Sequence, residues 1–119
     1  MLPAGARLTR RDEFATTLRR GRRSGRSRLV VHLDVVGSEL PRAGFVVNKA
    51  VGNSVVRHRV SRRLRHVVAP HLAQLPDGAR LVVRALPPAS TSTSAELADD
   101  LDSALRTALR RLTPASGQR

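Results

Sequence analysis

Between residues 28 and 36 the chain alternates, with Leu29, Val31, Leu33 and Val35 on one side of an extended backbone and Val30, His32, Asp34 and Val36 on the other. This period of two predicts a strand with one apolar face and one partly polar face. A turn over residues 37–41 leads to a second strand at 42–49, which contains Phe45, Val46 and Val47. The connection is short, so the two are expected to pair as an antiparallel hairpin. A third strand is predicted at 79–86, between Pro76-Asp77-Gly78 and Pro87-Pro88. A helix separates it from the second strand, so it is expected to run parallel to some strand of the sheet.

The remaining periodicity is helical. Thr9 is expected to cap a short helix with Asp12 and Glu13 in its first turn, Arg19 and Arg20 in its last, and Gly21 as its stop. Phe14 and Leu18 stand one turn apart on it. Residues 21–28, made of Gly, Ser and Arg, read as a loop or an irregular edge strand. Asn53 is the natural cap of a helix over 54–69, and Pro70 is its expected break. At 100° per residue, Val56, Val60, Leu64 and Val67 fall within about 80° of one another. His58, Arg59, Arg62, Arg65 and His66 lie roughly opposite, with Arg57 and Arg63 flanking the apolar stripe. Thr93-Ser94-Ala95-Glu96 forms a capping box that opens a last helix, buried through Leu97, Leu101, Leu105, Ala108 and Leu112. The pattern describes an α+β fold in the order α-β-β-β-α-β-α, a small mixed sheet packed with about three helices. A single domain over 1–119 is expected, with an ordered core of about 7–113 and a frayed tail at 114–119.

Charge changes this picture more than composition does. The 119 residues hold 22 Lys plus Arg against 9 Asp plus Glu, a formal net charge of +13, and every base except Lys49 is Arg. The whole excess lies in residues 1–95. Such a surface repels itself, and the natural compensation is a polyanion whose condensed counterions are released on binding. The absence of cysteine excludes a disulfide framework, a thiolate zinc site and a Cys nucleophile. No apolar run approaches the ~20 residues of a membrane span, and residues 1–5 lack the core of a signal peptide, so a cytoplasmic protein with no membrane partner is expected.

Candidate chemistry is sparse outside the basic helix. With Phe14 and Phe45 as the only aromatics, a platform of several stacking rings is excluded. His58, His66 and His71 lack zinc-ligand spacing, and Glu96, Asp99, Asp100 and Asp102 read as charges that complement a helix dipole rather than as a magnesium cluster. There is no phosphate-cradling Gly loop, no Gly-x-Ser-x-Gly and no acid pair. No catalytic residue and no metal ligand is assigned.

The informative segment is 53–66. A solvated helix face normally mixes signs, because like charges one turn apart repel, yet no acid occurs between Lys49 and Pro70. Guanidinium groups bind phosphate bidentately, which explains an accumulation of Arg. These residues by themselves predict RNA or DNA binding. Arg57-His58-Arg59-Val60-Ser61-Arg62-Arg63-Leu64-Arg65 resembles the basic-helix signature of the bacterial ribonuclease P protein family, in which Arg-Asn-Arg is followed after one apolar residue by Lys-Arg and, after two more, by Arg. Residues 44–53 are similar to the family's strand and turn into that helix. Residues 10–18, 29–35 and 81–87 resemble its first helix, long strand and last strand. His58 replaces Asn, Ser61 replaces Lys and Ala50 replaces a second Lys, whereas Arg63 is charged at an often apolar position. Leu18 and His32 stand where the family has aromatics.

The resemblance implies that the basic helix sits inside a left-handed βαβ crossover, against the usual hand. It implies a protein subunit that binds a catalytic RNA and the 5′ leader of precursor tRNA and assists its Mg²⁺-dependent endonucleolytic removal. The metal would be bound mainly by the RNA. By matching position, Phe14, Leu18, His32, Asn48, Lys49 and Arg57 would line or border the leader cleft. Arg57, His58, Arg59, Ser61, Arg62, Arg63, Arg65, Lys49 and Asn53 would meet RNA. Two other readings stand beside this one: a structural RNA binder of ribosomal-protein type, and a DNA-binding module with 57–65 as recognition helix. A stable DNA partner is not expected. Phe14 reads equally as core and as cleft wall, and His32 as a surface histidine or a cleft residue.

Overall fold

A computed structural model describes Leu2 and residues 4–112; the tail at 114–119 lies outside the described residues. A 3-10 turn at Ala4–Ala6 precedes α1 (Arg11–Arg20), β1 (Arg22–Gly25), β2 (Leu29–Val35), β3 (Arg42–Val46), α2 (Ser54–Leu72), β4 (Ala79–Ala85) and α3 (Ser94–Leu112), with a second 3-10 turn at Pro87–Thr91. The α-β-β-β-α-β-α order is the expected one, and residues 22–25 take the edge-strand alternative.

The sheet runs β1-β2-β4-β3. β2 and β4 pair antiparallel, as do β1 and β2, while β3 and β4 are parallel. The expected hairpin between the strands at 29–35 and 42–46 is therefore not formed, because β4 lies between them. Burial explains the order: Leu81 and Val83 on one face of β4 and Val82 on the other are all fully buried, and a strand whose middle is covered on both faces takes an interior place. β3, with Arg42 and Gly44 on one face, takes the edge. The parallel pairing expected of the last strand is made with β3, and α2 is the crossover that joins them.

Three further expectations are corrected. Arg10, not Thr9, occupies the cap position of α1, and it makes no side-chain cap bond. Helix α2 runs past Pro70 to Leu72: Pro70 sits exposed in the last turn while Val67, Val68 and Leu72 stay buried, so packing carries the helix through the missing hydrogen bond. The second strand also ends at Val46 rather than at 49. Asn48 turns the chain there, its Oδ1 accepting the Ala50 N–H at 3.1 Å.

The core fills one side of the sheet. Leu29, Val31, Leu33, Ala43, Leu81 and Val83 meet Val60, Leu64 and Val68 of α2 and Leu97, Leu101 and Leu105 of α3. The predicted capping box opens α3, with Thr93 N–H donating to Glu96 Oε1 at 2.9 Å and Glu96 N–H to Thr93 Oγ1 at 3.1 Å. That backbone hydrogen bond, then the charge of Arg28, holds the Glu96 carboxyl below the usual carboxylate range. Asp100 accepts from both the Arg28 backbone and its side chain, so the acids at the start of α3 clamp β2.

Helix α1 covers the opposite face and reaches it through two close approaches. A Cβ on Gly21 would stand 2.5 Å from the Thr17 carbonyl oxygen and 3.1 Å from the Leu33 nitrogen, so the helix end rests on the β2 backbone. A Cβ on Gly44 would stand 2.3 Å from Phe14 Cζ, so the Phe14 ring lies on bare backbone. Gly44→Ala is expected to cost about 1–3 kcal/mol as an overpacking change, read as a lower denaturation midpoint. In a Phe14→Ala background most of that cost should vanish, and full additivity of the two changes would show that the ring is not seated there.

Candidate nucleic-acid interface

The α1-facing side of the sheet is a small grid set by register. One row across the strands reads Gly44, Val82, His32 and Arg23; the next, toward one end, Val46, Arg84, Val30 and Gly25; the next, toward the other, Arg42, Arg80 and Asp34. Neighbouring strands lie about 4.8 Å apart, so side chains within a row touch. Helix α1 crosses the grid at the Arg42 and Arg80 end. Glu13 takes hydrogen bonds from Arg42 at 2.9 and 3.1 Å and from Arg80 at 3.3 Å. The bonds from Arg42, then the charges of Arg42 and Arg80, hold its carboxyl below the usual range.

The rest of the grid is a shallow basic floor beside α1. Phe14 is half-buried over Gly44, and Leu18 is exposed one turn further on. Arg84 makes no hydrogen bond or ion pair among the described residues, and its Nε is buried without a partner. His32 is buried, at 6% exposure, and neither ring nitrogen has a partner among the described residues. Burial, then the charges of Arg84 in the neighbouring row and of Arg23 in its own, pushes its imidazole below the ordinary value. Of the residues expected at the cleft, the structure brings Phe14, Leu18 and His32 to this face. Asn48 and Lys49 are exposed just beyond the end of β3.

Helix α2 lies on the other side of the sheet and presents two rails. Toward β3, Arg57 and His58 share a concavity of about 350 Å³ with Phe45, Val47, Ser54 and Ser61. A smaller hollow of about 180 Å³ joins Ser61 and Arg65 to Arg7, Phe14 and Gly44, bridging the basic helix and the cleft around the β3 edge. Toward α3, Arg59 donates to the Ser90 carbonyl at 3.2 Å and Arg63 to the Ser92 carbonyl at 2.8 Å. These two fasten the helix to the 3-10 turn as well as charging it. Arg62 projects between the rails, exposed. Asn53 uses its side-chain oxygen to accept the Val56 N–H at 3.0 Å as the cap. None of the five arginines of α2 meets an acid among the described residues, whereas Arg10, Arg28, Arg42, Arg80 and Arg106 all do.

Sequence reasoning missed Arg84, Val46 and Arg23 as members of this face. The signal was present for Arg84, since Arg80, Val82 and Arg84 alternate with Leu81 and Val83 along β4. It also missed that Arg26 spends its guanidinium on Ser103 and Thr107 of α3, which makes it a clamp rather than a free charge. No helix among the described residues is long and apolar enough to cross a membrane.

Fold and surface together define a small basic α+β protein that can grip a polyanion along two connected surfaces, an acid-free helix and a sheet face roofed by another helix. A family model described as Ribonuclease P matches residues 2–109, and the chain belongs to that family. It is 57% identical over 115 residues to the ribonuclease P protein component of Streptomyces griseus, covering 89% of this chain and 94% of that one. A relative of the same description from a Mycobacterium species is 54% identical over 114 residues, covering 94% and 97%. Among solved structures, the Staphylococcus aureus RNase P protein aligns with a TM-score of 0.76 at 23% identity over 87% of this chain and 94% of that one. The Thermotoga maritima RNase P protein aligns with 0.71 at 22% over 82% and 92%. The chain is thus a protein component of a ribonuclease, an RNA-binding subunit in tRNA processing.

Proposed function

We propose that this protein binds the catalytic RNA of ribonuclease P through α2 and holds the 5′ leader of precursor tRNA on the α1-facing sheet, aiding endonucleolytic removal of the leader. The observation that carries this reading is the pairing of surfaces: five acid-free arginines on α2, and a cationic floor around Arg84 reached from them around the β3 edge. A helix of guanidiniums without acid partners suits the closely spaced phosphates of a folded RNA, and a shallow groove one helix wide suits a single strand.

The chemistry is assigned to the RNA, with the protein alone non-catalytic. Mg²⁺ is assigned mainly to the RNA as well, as the family resemblance implies. The protein contributes affinity and position. It acts in the cytoplasm, with no membrane and no stable DNA partner.

The test is leader removal from a precursor tRNA by a bacterial ribonuclease P RNA at low Mg²⁺, with and without the protein. Restored cleavage, with no activity from the protein alone, is the expected outcome. Binding to both RNAs without any change in rate or in preference for precursor over mature tRNA would make the protein a structural binder instead.

A further inference from the structure

The row Gly44, Val82, His32 and Arg23 holds a histidine with no partner for either ring nitrogen, next to an Arg84 whose Nε is likewise unpartnered. A buried donor or acceptor left unsatisfied costs about 1–3 kcal/mol, so such a group in a folded protein calls for a ligand that would satisfy it. The charged groups around His32 are known from every element packed on it. Arg23 faces it from β1, Asp34 from its own strand, and Arg80 and Arg84 from β4. From α1 come Glu13, already committed to Arg42 and Arg80, and the exposed Arg19 and Arg20 at the helix end. The cations Arg23 and Arg84 have no acid partner among the described residues.

We propose that His32, Arg84 and Arg23 form one phosphodiester-binding subsite, and that a single strand seated there makes His32 take up one proton from solvent. The proposal rests on the leader-binding reading and sharpens it. Without RNA, a proton on His32 would place a third positive charge on a buried imidazole beside Arg84 and Arg23. A phosphodiester brings one negative charge against Arg23 and Arg84 and an acceptor for a ring N–H, which reverses the balance. No covalent bond changes; one proton moves from solvent to imidazole. Linkage fixes the sign: if the strand raises the imidazole's proton affinity, lowering the pH must raise affinity for the strand.

The probe is an oligouridylate of about ten nucleotides, whose bases do not titrate between pH 5 and 8. The full-length protein is titrated by NMR, following the imidazole of His32, assigned by its absence in His32→Phe, and the backbone amides of Gly44, Val46 and Arg84. In the free protein His32 is expected to titrate below the ordinary 6.5. With oligouridylate bound it is expected to titrate about one unit higher. Affinity should rise up to about tenfold from pH 7.5 to 5.5 in the wild type and stay flat in His32→Phe. Shifted cleft amides with an unmoved His32 would overturn the subsite and leave leader binding standing. Unshifted cleft amides would overturn both. The wild-type titration decides the matter even if His32→Phe folds poorly.

Discussion

Reversing charge at Arg62 and Arg65 together, to Glu, is expected to weaken binding of the ribonuclease P RNA at physiological salt by about 100-fold or more. Arg62 is exposed with no partner among the described residues, and Arg65 spends one N–H on Ser61 Oγ at 3.0 Å, which leaves the rest of its fork for phosphate. Neither fastens α2 to the protein as Arg59 and Arg63 do. The fold should therefore survive the change, visible as an unchanged thermal midpoint within a few degrees. The more specific readout is the salt slope. Each phosphate contact contributes about 0.9 to the slope of log affinity against log salt on duplex nucleic acid and about 0.7 on single strands, so the double variant should lose roughly 1.5 to 2. Affinity that falls with an unaltered slope would mean the two arginines act on the shape of α2 and do not touch phosphate.

Replacing Glu13 by Gln is expected to destabilise the fold strongly. One carboxylate, 13% exposed, serves two guanidiniums that are themselves 18% and 16% exposed. Removing its charge leaves Arg80, whose Nε is already unpartnered, with no ion pair among the described residues, facing an Arg42 that keeps only the exposed Glu39 at 3.0 Å. Breaking a pair of this kind costs about 3 kcal/mol, near the low end of the range because the groups keep some contact with water. A loss of about 10 °C or more in thermal midpoint follows for a domain of this size. The same contact sets an acid limit. The folded-state pKa of Glu13 lies below its ordinary 4.5, so the unfolded chain takes up the proton at higher pH. The contribution is complete above about 4.5 and is lost as pH falls through the lowered value. Wild type should lose stability across that window, and Glu13→Gln should lose less. Parallel acid-unfolding curves for the two proteins would remove Glu13 as the latch of α1.

Much of the fold was legible along the chain because its periods are clean. The alternation at 29–35, the stripe Val60, Leu64 and Val67, and the capping box at Thr93 all report local geometry, and local geometry is what a sequence period encodes. The hairpin was misread because a short connection between two strands says only that their ends are near. It does not say that nothing lies between them, and β4 entered from more than thirty residues away. Pro70 was read as a stop because a missing N–H is a local fact, whereas Leu72 holding the last turn on the core is not.

The candidate site divides in the same way. The acid-free run from Lys49 to Pro70 determined by itself that this protein meets a polyanion, since charge excess is a sum over residues and needs no coordinates. The family signature at 57–65 was equally plain. Which guanidiniums are free is a different kind of property. Arg26 and Arg28 look like the arginines of α2 in the sequence, yet α3 engages both, and Arg84 looks like any strand arginine, yet it stands alone beside His32. Pairing depends on what lies within about 4 Å, and only the β1-β2-β4-β3 order, with α1 latched across one face by Glu13, decided that.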